Sequence, residues 1–303
     1  MFAAPQPIET EVFARLPDAL RILDRPTPWS AARGGPTLHS FLEGPSFDRD
    51  GNLYCVDVCH GRIFVVSATG HWDVFASYDG NPNGIKIHRD GRIFVADHRL
   101  GLLAFDPYTR SSTLVADGVD GSRFRGLNDL VFADDGDLYF TDPGESGFDR
   151  PDGRVFRHRS NGRIELLADG LPYPNGVVLA PSQNVLFVAI TRSQQVLRMP
   201  LNEHGVYKSG VYLQLSGGLA GPDGLAIGED GSLVVVHAGF GTAWVFSPLG
   251  EPVARIRSCA GIRTTNVAFG VSDPRTVYIT EAEQGVILRA TLDVEGRRMY
   301  SHR

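Results

Sequence analysis

The sequence predicts an all-β chain folded as a six-bladed β-propeller with a divalent metal at one end of its central channel. Three observations carry the architecture. The first is a hairpin at residues 125–142, RGLNDLVFADDGDLYFTD, in which two β-rich apolar runs flank an acidic turn ending in Gly136. Glycine supplies the positive φ that such a reversal needs. The second is recurrence. The frame that opens the hairpin repeats as Glu43-GPSF, Asn83-GIKI, Asn128-DLVF, Asn175-GVVL, Asp223-GLAI and Thr265-NVAF, at spacings of 40, 45, 47, 48 and 42 residues. The third is that no run has a convincing helical period. Repeats of roughly 40 to 50 residues that hold several short strands point to propeller blades rather than helical solenoids.

Taken in order, residues 8–15 alternate weakly ahead of the first repeat and are expected to complete the last blade. Residues 25–37 (RPTPWSAARGGPT) read as a Pro- and Gly-rich loop leading into blade one. Blade one runs from Glu43 through a turn at 48–51 to strands at 53–58, 62–66 and 72–77. Blade two has its turn at 89–91 and strands at 93–96 and 102–105. Blade three is the hairpin above, a longer loop at 143–152, and strands at 155–158 and 164–167. Blade four uses 175–179, 185–189 and 196–199, and blade five 223–227, 233–236 and 243–246. Blade six uses 266–269, 277–280 and 286–292. The whole chain, 1–303, is expected to be one domain, as a propeller of this size is.

Composition narrows the partners. The net charge is −6, from 29 basic against 35 acidic residues. No basic stripe stands out, which argues against nucleic acid. The first twenty residues lack a basic region followed by a long apolar run, so neither a signal peptide nor a membrane anchor is expected. Three cysteines, Cys55, Cys59 and Cys259, cannot all pair, which fits a reduced, cytoplasmic protein. Cys55 and Cys59 lack the second pair a zinc site needs and read as structural thiols.

In a propeller the first strand of each blade lines the channel, so the six frame-opening residues ring one mouth. Glu43, Asn128, Asn175 and Asp223 bring oxygens to one depth, the chemistry of a hard-cation site. Two carboxylates meeting there repel unless a cation or a proton lies between them. Asn83 and Thr265 read as strand-start caps. The Asp-x-Asp-Gly stretches lack a calcium loop's length and terminal glutamate and read as turns. Second-strand ends return to the same mouth, at residues 57–60, 97–99, 142–148, 191–192, 237–240 and 281. That rim suits a small polar or amphipathic ligand, and His60, His98 and His237 are its acid–base and substrate-contact candidates.

The frames LEGP, GLNDLVF, YPNGVVL, GPDGLAI and TTNVAFG resemble the regucalcin/gluconolactonase family of six-bladed, calcium-dependent lactonases, over nearly the whole chain. The resemblance implies metal ligands at Glu43, Asn175 and Asp223, with Asn128 completing the metal or substrate shell. It implies Asp223 as general base and Asp129 as a substrate contact; Asp129 is also the alternative base, because a metal-bound carboxylate is a weak one. Calcium (Ca2+) is the implied cofactor, with zinc, manganese or magnesium as substitutes, and a small lactone the implied substrate. Gly126 stands where sugar-specific members carry an arginine, with Arg125 adjacent, which argues against a simple aldonolactone preference. Two other readings share the ring: an organophosphate hydrolase like diisopropylfluorophosphatase, and a non-catalytic ligand-binding propeller. The latter has no need of an open cation site.

Overall fold

The computed structural model describes residues 3–32 and 38–303. Six sheets of four or five strands succeed one another along the chain, and their innermost strands are Leu42–Phe47, Pro82–Ile87, Leu130–Phe132, Pro174–Leu179, Gly221–Ile227 and Thr264–Phe269. This is the six-bladed propeller the repeat implies. Three outer strands had no clear sequence signal: Ser112–Ala116, Gly210–Gln214 and Pro252–Arg257. Each has its outer face in water, so neither continuous apolarity nor strict alternation marks it.

The inner strands read as unbroken apolar runs because both of their faces are buried. In Leu233–Ala238, Leu233 and Val235 enter the cluster shared with blade four. Val234 and Val236 enter the one shared with blade six. Six such clusters fill the six inter-blade seams. Burial at about 25 cal/mol per Å² of apolar surface makes these seams the main source of the ring's cohesion.

The N-terminal segment closes the ring, with one correction. Residues 8–15 do not all join the last blade: Gln6–Glu9 pairs in parallel with Pro252–Arg257 on blade five, and Glu11–Arg15 pairs antiparallel with Val286–Thr291 on blade six. Thr10 makes the crossing, its Oγ1 donating to Arg257 O at 3.0 Å and accepting from Cys259 N at 2.9 Å. The stretch read as a loop at 25–37 also differs, because Pro28–Ala32 forms one short helix; residues 33–37 lie outside the described residues. Among the described residues no helix is long and apolar enough to cross a membrane.

The chain's last residues cross the end of the channel opposite the ring. Arg49 Nε donates to Ser301 O at 2.7 Å, Arg297 N to Ile227 O at 2.9 Å, and Gly296 N to Pro274 O at 2.7 Å. Tyr300 is 7 % exposed and stacks on Phe132, ring centroids 5.1 Å apart. Tyr300→Ala removes an aromatic plug from a site closed by several blades. It is expected to cost about 3 kcal/mol, read as a lower urea midpoint at unchanged m-value; an unchanged midpoint would show that the arm adds nothing.

Candidate active site

Five of the six inner strands begin on an irregular ladder. The pairing with the second strand shifts between Glu43 and Ser46, Pro82 and Gly84, Pro174 and Val177, Pro222 and Leu225, and Thr264 and Val267. Blade three enters the ladder only at Leu130, after Asn128 and Asp129. Bulges break the two-residue alternation and re-aim side chains, so successive residues of one blade can both serve the channel.

The second frame position then decides what fills it. It is glycine in blades one, two, four and five, where a side chain would strike the next blade: a Cβ on Gly176 would lie 2.2 Å from Asp223 O. In the remaining blades, three and six, it is Asp129 and Asn266. These two opposed side chains meet across the axis, Asn266 Nδ2 lying 3.5 Å from Asp129 Oδ2 and donating to Glu43 Oε2 at 3.0 Å. Asn266 was missed as a site residue, although its departure from a position that is glycine in four blades was legible.

Above this layer opens a cavity of about 370 Å³, and Glu43, Asn83, Asn128, Asn175 and Asp223 all line it. Among the described residues four buried oxygens there lack any hydrogen-bond partner: Oδ1 of Asn83, Asn128, Asn175 and Asp223. Asn175 is aimed by its Nδ2, which donates to Thr191 Oγ1 at 3.1 Å. Buried polar atoms are rarely left bare, and four bare oxygens, one of them from the Asp223 carboxylate, with the Glu43 carboxylate beside them fit a divalent cation taken up through oxygen. Asn83, set aside from the sequence as a cap, contributes one of the four. Thr265 is a tie, its Oγ1 donating to Leu42 O at 2.8 Å.

The electrostatics agree with that fit. Burial, then the nearby Asp129, pushes Glu43 from its ordinary 4.5 up to about 8. Asp223 is also raised well above the usual carboxylate range, by burial first and then by Glu43 and Asp129. A cation reverses both shifts. Asp129 itself is 1 % exposed and does not line the cavity. Its Oδ1 accepts Leu130 N at 2.8 Å and faces Lys86 Nζ at 3.8 Å.

The rim splits. Asp57 accepts Phe41 N at 2.8 Å and Asp142 accepts Gly126 N at 2.8 Å, each also pairing with an arginine, Arg62 or Arg154. These fully buried carboxylates anchor the entry to their own inner strand and do not face a ligand. Cys59 and His60 lie within ligating distance of Asp57, but Asp57 is already committed and His60 Nε2 bonds Leu38 O at 2.9 Å. His237 is fully buried, with Nε2 on Gly217 O at 3.1 Å and Nδ1 accepting from Trp244 Nε1 at 3.3 Å. Neither His60 nor His237 lines the cavity. His98 lies 3.2 Å from Glu145 Oε1, and its ring occupies the space a side chain at Gly126 would take, 2.5 Å from an added Cβ. Trp29, from the short helix, does line the cavity and packs on Phe41 with centroids 4.9 Å apart.

Fold and site together define a six-bladed propeller with an oxygen-lined, carboxylate-bearing channel mouth. The family described as SMP-30/Gluconolactonase/LRE-like region matches residues 41–283, and the chain belongs to it. It is 33 % identical over 225 residues to a gluconolactonase of Zymomonas mobilis, a match covering 68 % of this chain and 62 % of that protein. It is 32 % identical to lactonase drp35 of Staphylococcus aureus, over 71 % of this chain and 69 % of that one. In fold it resembles a regucalcin of Agrobacterium tumefaciens described as a calcium-binding protein, with TM-score 0.78 at 20 % identity, covering 99 % of this chain and 100 % of that one.

Proposed function

We propose that this protein is a metal-dependent hydrolase that opens the ester bond of a small lactone. The observation that carries the proposal is the set of four unpartnered buried oxygens at the channel mouth, two carboxylates among the ring residues. Glu43, Asn128, Asn175 and Asp223, joined by Asn83, would hold the cation, calcium by preference, with zinc, manganese or magnesium as substitutes. Bound there, a divalent cation polarises an ester carbonyl and stabilises the charge that develops on its oxygen.

The remaining work falls to the chain. Asp223 lines the cavity with a bare Oδ1, in reach of a water approaching the substrate carbonyl, and takes that water's proton. The water oxygen bonds to the carbonyl carbon, the ring C–O bond breaks, and the proton passes to the leaving alkoxide, giving the hydroxy acid. Asn266 fixes the Glu43 carboxylate through its 3.0 Å hydrogen bond. In this reading Asp129, tied to Leu130 N and Asn266, sets the charge beneath the ring, and proton transfer is left to Asp223. The described cysteines are free thiols, which supports a reducing compartment, and we assign the cytoplasm.

A hydrolysis screen of sugar, aliphatic and aromatic lactones and of phosphotriesters, with and without chelator, tests this reading. Lactone opening that stops on chelation and returns with calcium is expected. Turnover of phosphotriesters alone would move the protein to the organophosphate hydrolases, and no turnover of any ester would make it a binding propeller.

A further inference from the structure

Above the ring the cavity has cationic and aromatic walls that the hydrolysis of an uncharged lactone does not require. Arg192 and Arg263 line it from blades four and six, either side of the blade that carries Asp223. Both are exposed, and no ion pair among the described residues engages either guanidinium. The arginines of the second-strand anchors are saturated by contrast, as Arg62 and Arg154 are. Above the ring no described carboxylate lines the cavity. Two arginines with no ion pair at a concave site are matched to an oxyanion.

Arg192 is also held in place. Its guanidinium lies 5.2 Å from the centroid of the Tyr173 ring, and its charge reaches Asp223. Tyr173 has φ 68, a left-handed conformation that an aromatic residue seldom adopts. It is clamped there by Ser146 Oγ, which accepts Tyr173 N at 3.0 Å, and by Thr191 N, which donates to Tyr173 O at 3.0 Å. Strain of this kind collects at ligand sites. Facing it, Trp29 and Phe41 offer an apolar wall.

We propose that the lactone this site takes carries an anionic substituent, a carboxylate or a phosphate, bound between Arg192 and Arg263 while the ester lies over the ring. The proposal rests on the lactonase reading and names its substrate class. The anionic group sits above blade five, the ester carbonyl turns towards Asp223 and the asparagine oxygens, and the ring atoms pack on Trp29. The family's arginine position does not supply this charge here, because Gly126 and the His98 ring fill it.

The test uses lactones matched in ring: γ-butyrolactone against its carboxylated derivative, and gluconolactone against its phosphate monoester. The charged member is expected to be favoured by about tenfold to a hundredfold in kcat/KM, the range of a charge-assisted pair. Its KM should rise with salt. In the double variant Arg192→Gln, Arg263→Gln the ratio of charged to neutral should fall towards one. A preference for carboxylate alone, or for phosphate alone, identifies the oxyanion. Neutral lactones turned over as well as charged ones, or a preference that survives the double substitution, would overturn the proposal and leave the lactonase reading standing. No hydrolysis of any lactone, charged or neutral, would overturn both.

Discussion

Asp223→Asn is expected to lose calcium affinity and lactone turnover together, with kcat falling by a factor of roughly 10³. Asp223 brings both a negative charge and a bare oxygen to the mouth and is the ring carboxylate whose oxygen faces the cavity unpartnered. The amide replacing it keeps the shape but neither neutralises a cation nor takes a proton. Asp129→Asn should fall within about tenfold of the parent, because a group off the cavity serves through charge and not through proton transfer. Calcium titration beside lactone kinetics on both variants decides the matter. If Asp129→Asn cut kcat by a factor of roughly 10² or more at unchanged calcium affinity, Asp129 would be the base. Both variants should keep the far-UV spectrum of the parent, since the six inter-blade clusters do not include these residues.

Chelation is expected to destabilise the protein far more at pH 8 than at pH 5. Without a cation, burial and Asp129 hold the Glu43 carboxyl protonated up to about 8, against 4.5 ordinarily. Between those values the unfolded chain is ionised at Glu43 while the native chain keeps its proton. The native state therefore binds more protons, and its stability falls as pH rises through that window. The gap is worth several kcal/mol at about 1.4 kcal/mol per tenfold, and Asp223 acts in the same direction. A bound cation replaces the proton and adds about 2.7 kcal/mol at a hundredfold excess over its dissociation constant. Thermal melts with chelator or calcium at the two pH values read the effect. Equal losses at both would mean that no cation compensates these carboxylates, and Glu43→Gln in place of the parent should flatten the pH dependence with chelator present.

The sequence alone determined the blade count, the innermost strands and the ring frame. The reason is physical: each blade buries both faces of its inner strands, so the apolar runs are long. Each blade also restarts at the channel, so the residue opening it recurs at one blade's spacing. Glu43, Asn128, Asn175 and Asp223 were readable from that recurrence. Only the tertiary structure decided what the neighbouring positions do. Asp129 lies just ahead of its strand's ladder, which begins at Leu130, so strand alternation does not turn it away, and it meets Asn266 across the channel, 137 residues on. The rim histidines could not be sorted from the sequence, because the fate of a loop side chain depends on which backbone carbonyl it finds. His237 finds Gly217 O and is lost to the core, while the ring of His98 settles over Gly126. Trp29, on its short helix, and the arginine pair, on loops, reach the mouth without a periodic signal, from three separate parts of the chain. Their convergence is a property of the closed ring, which brings together residues that no local pattern relates.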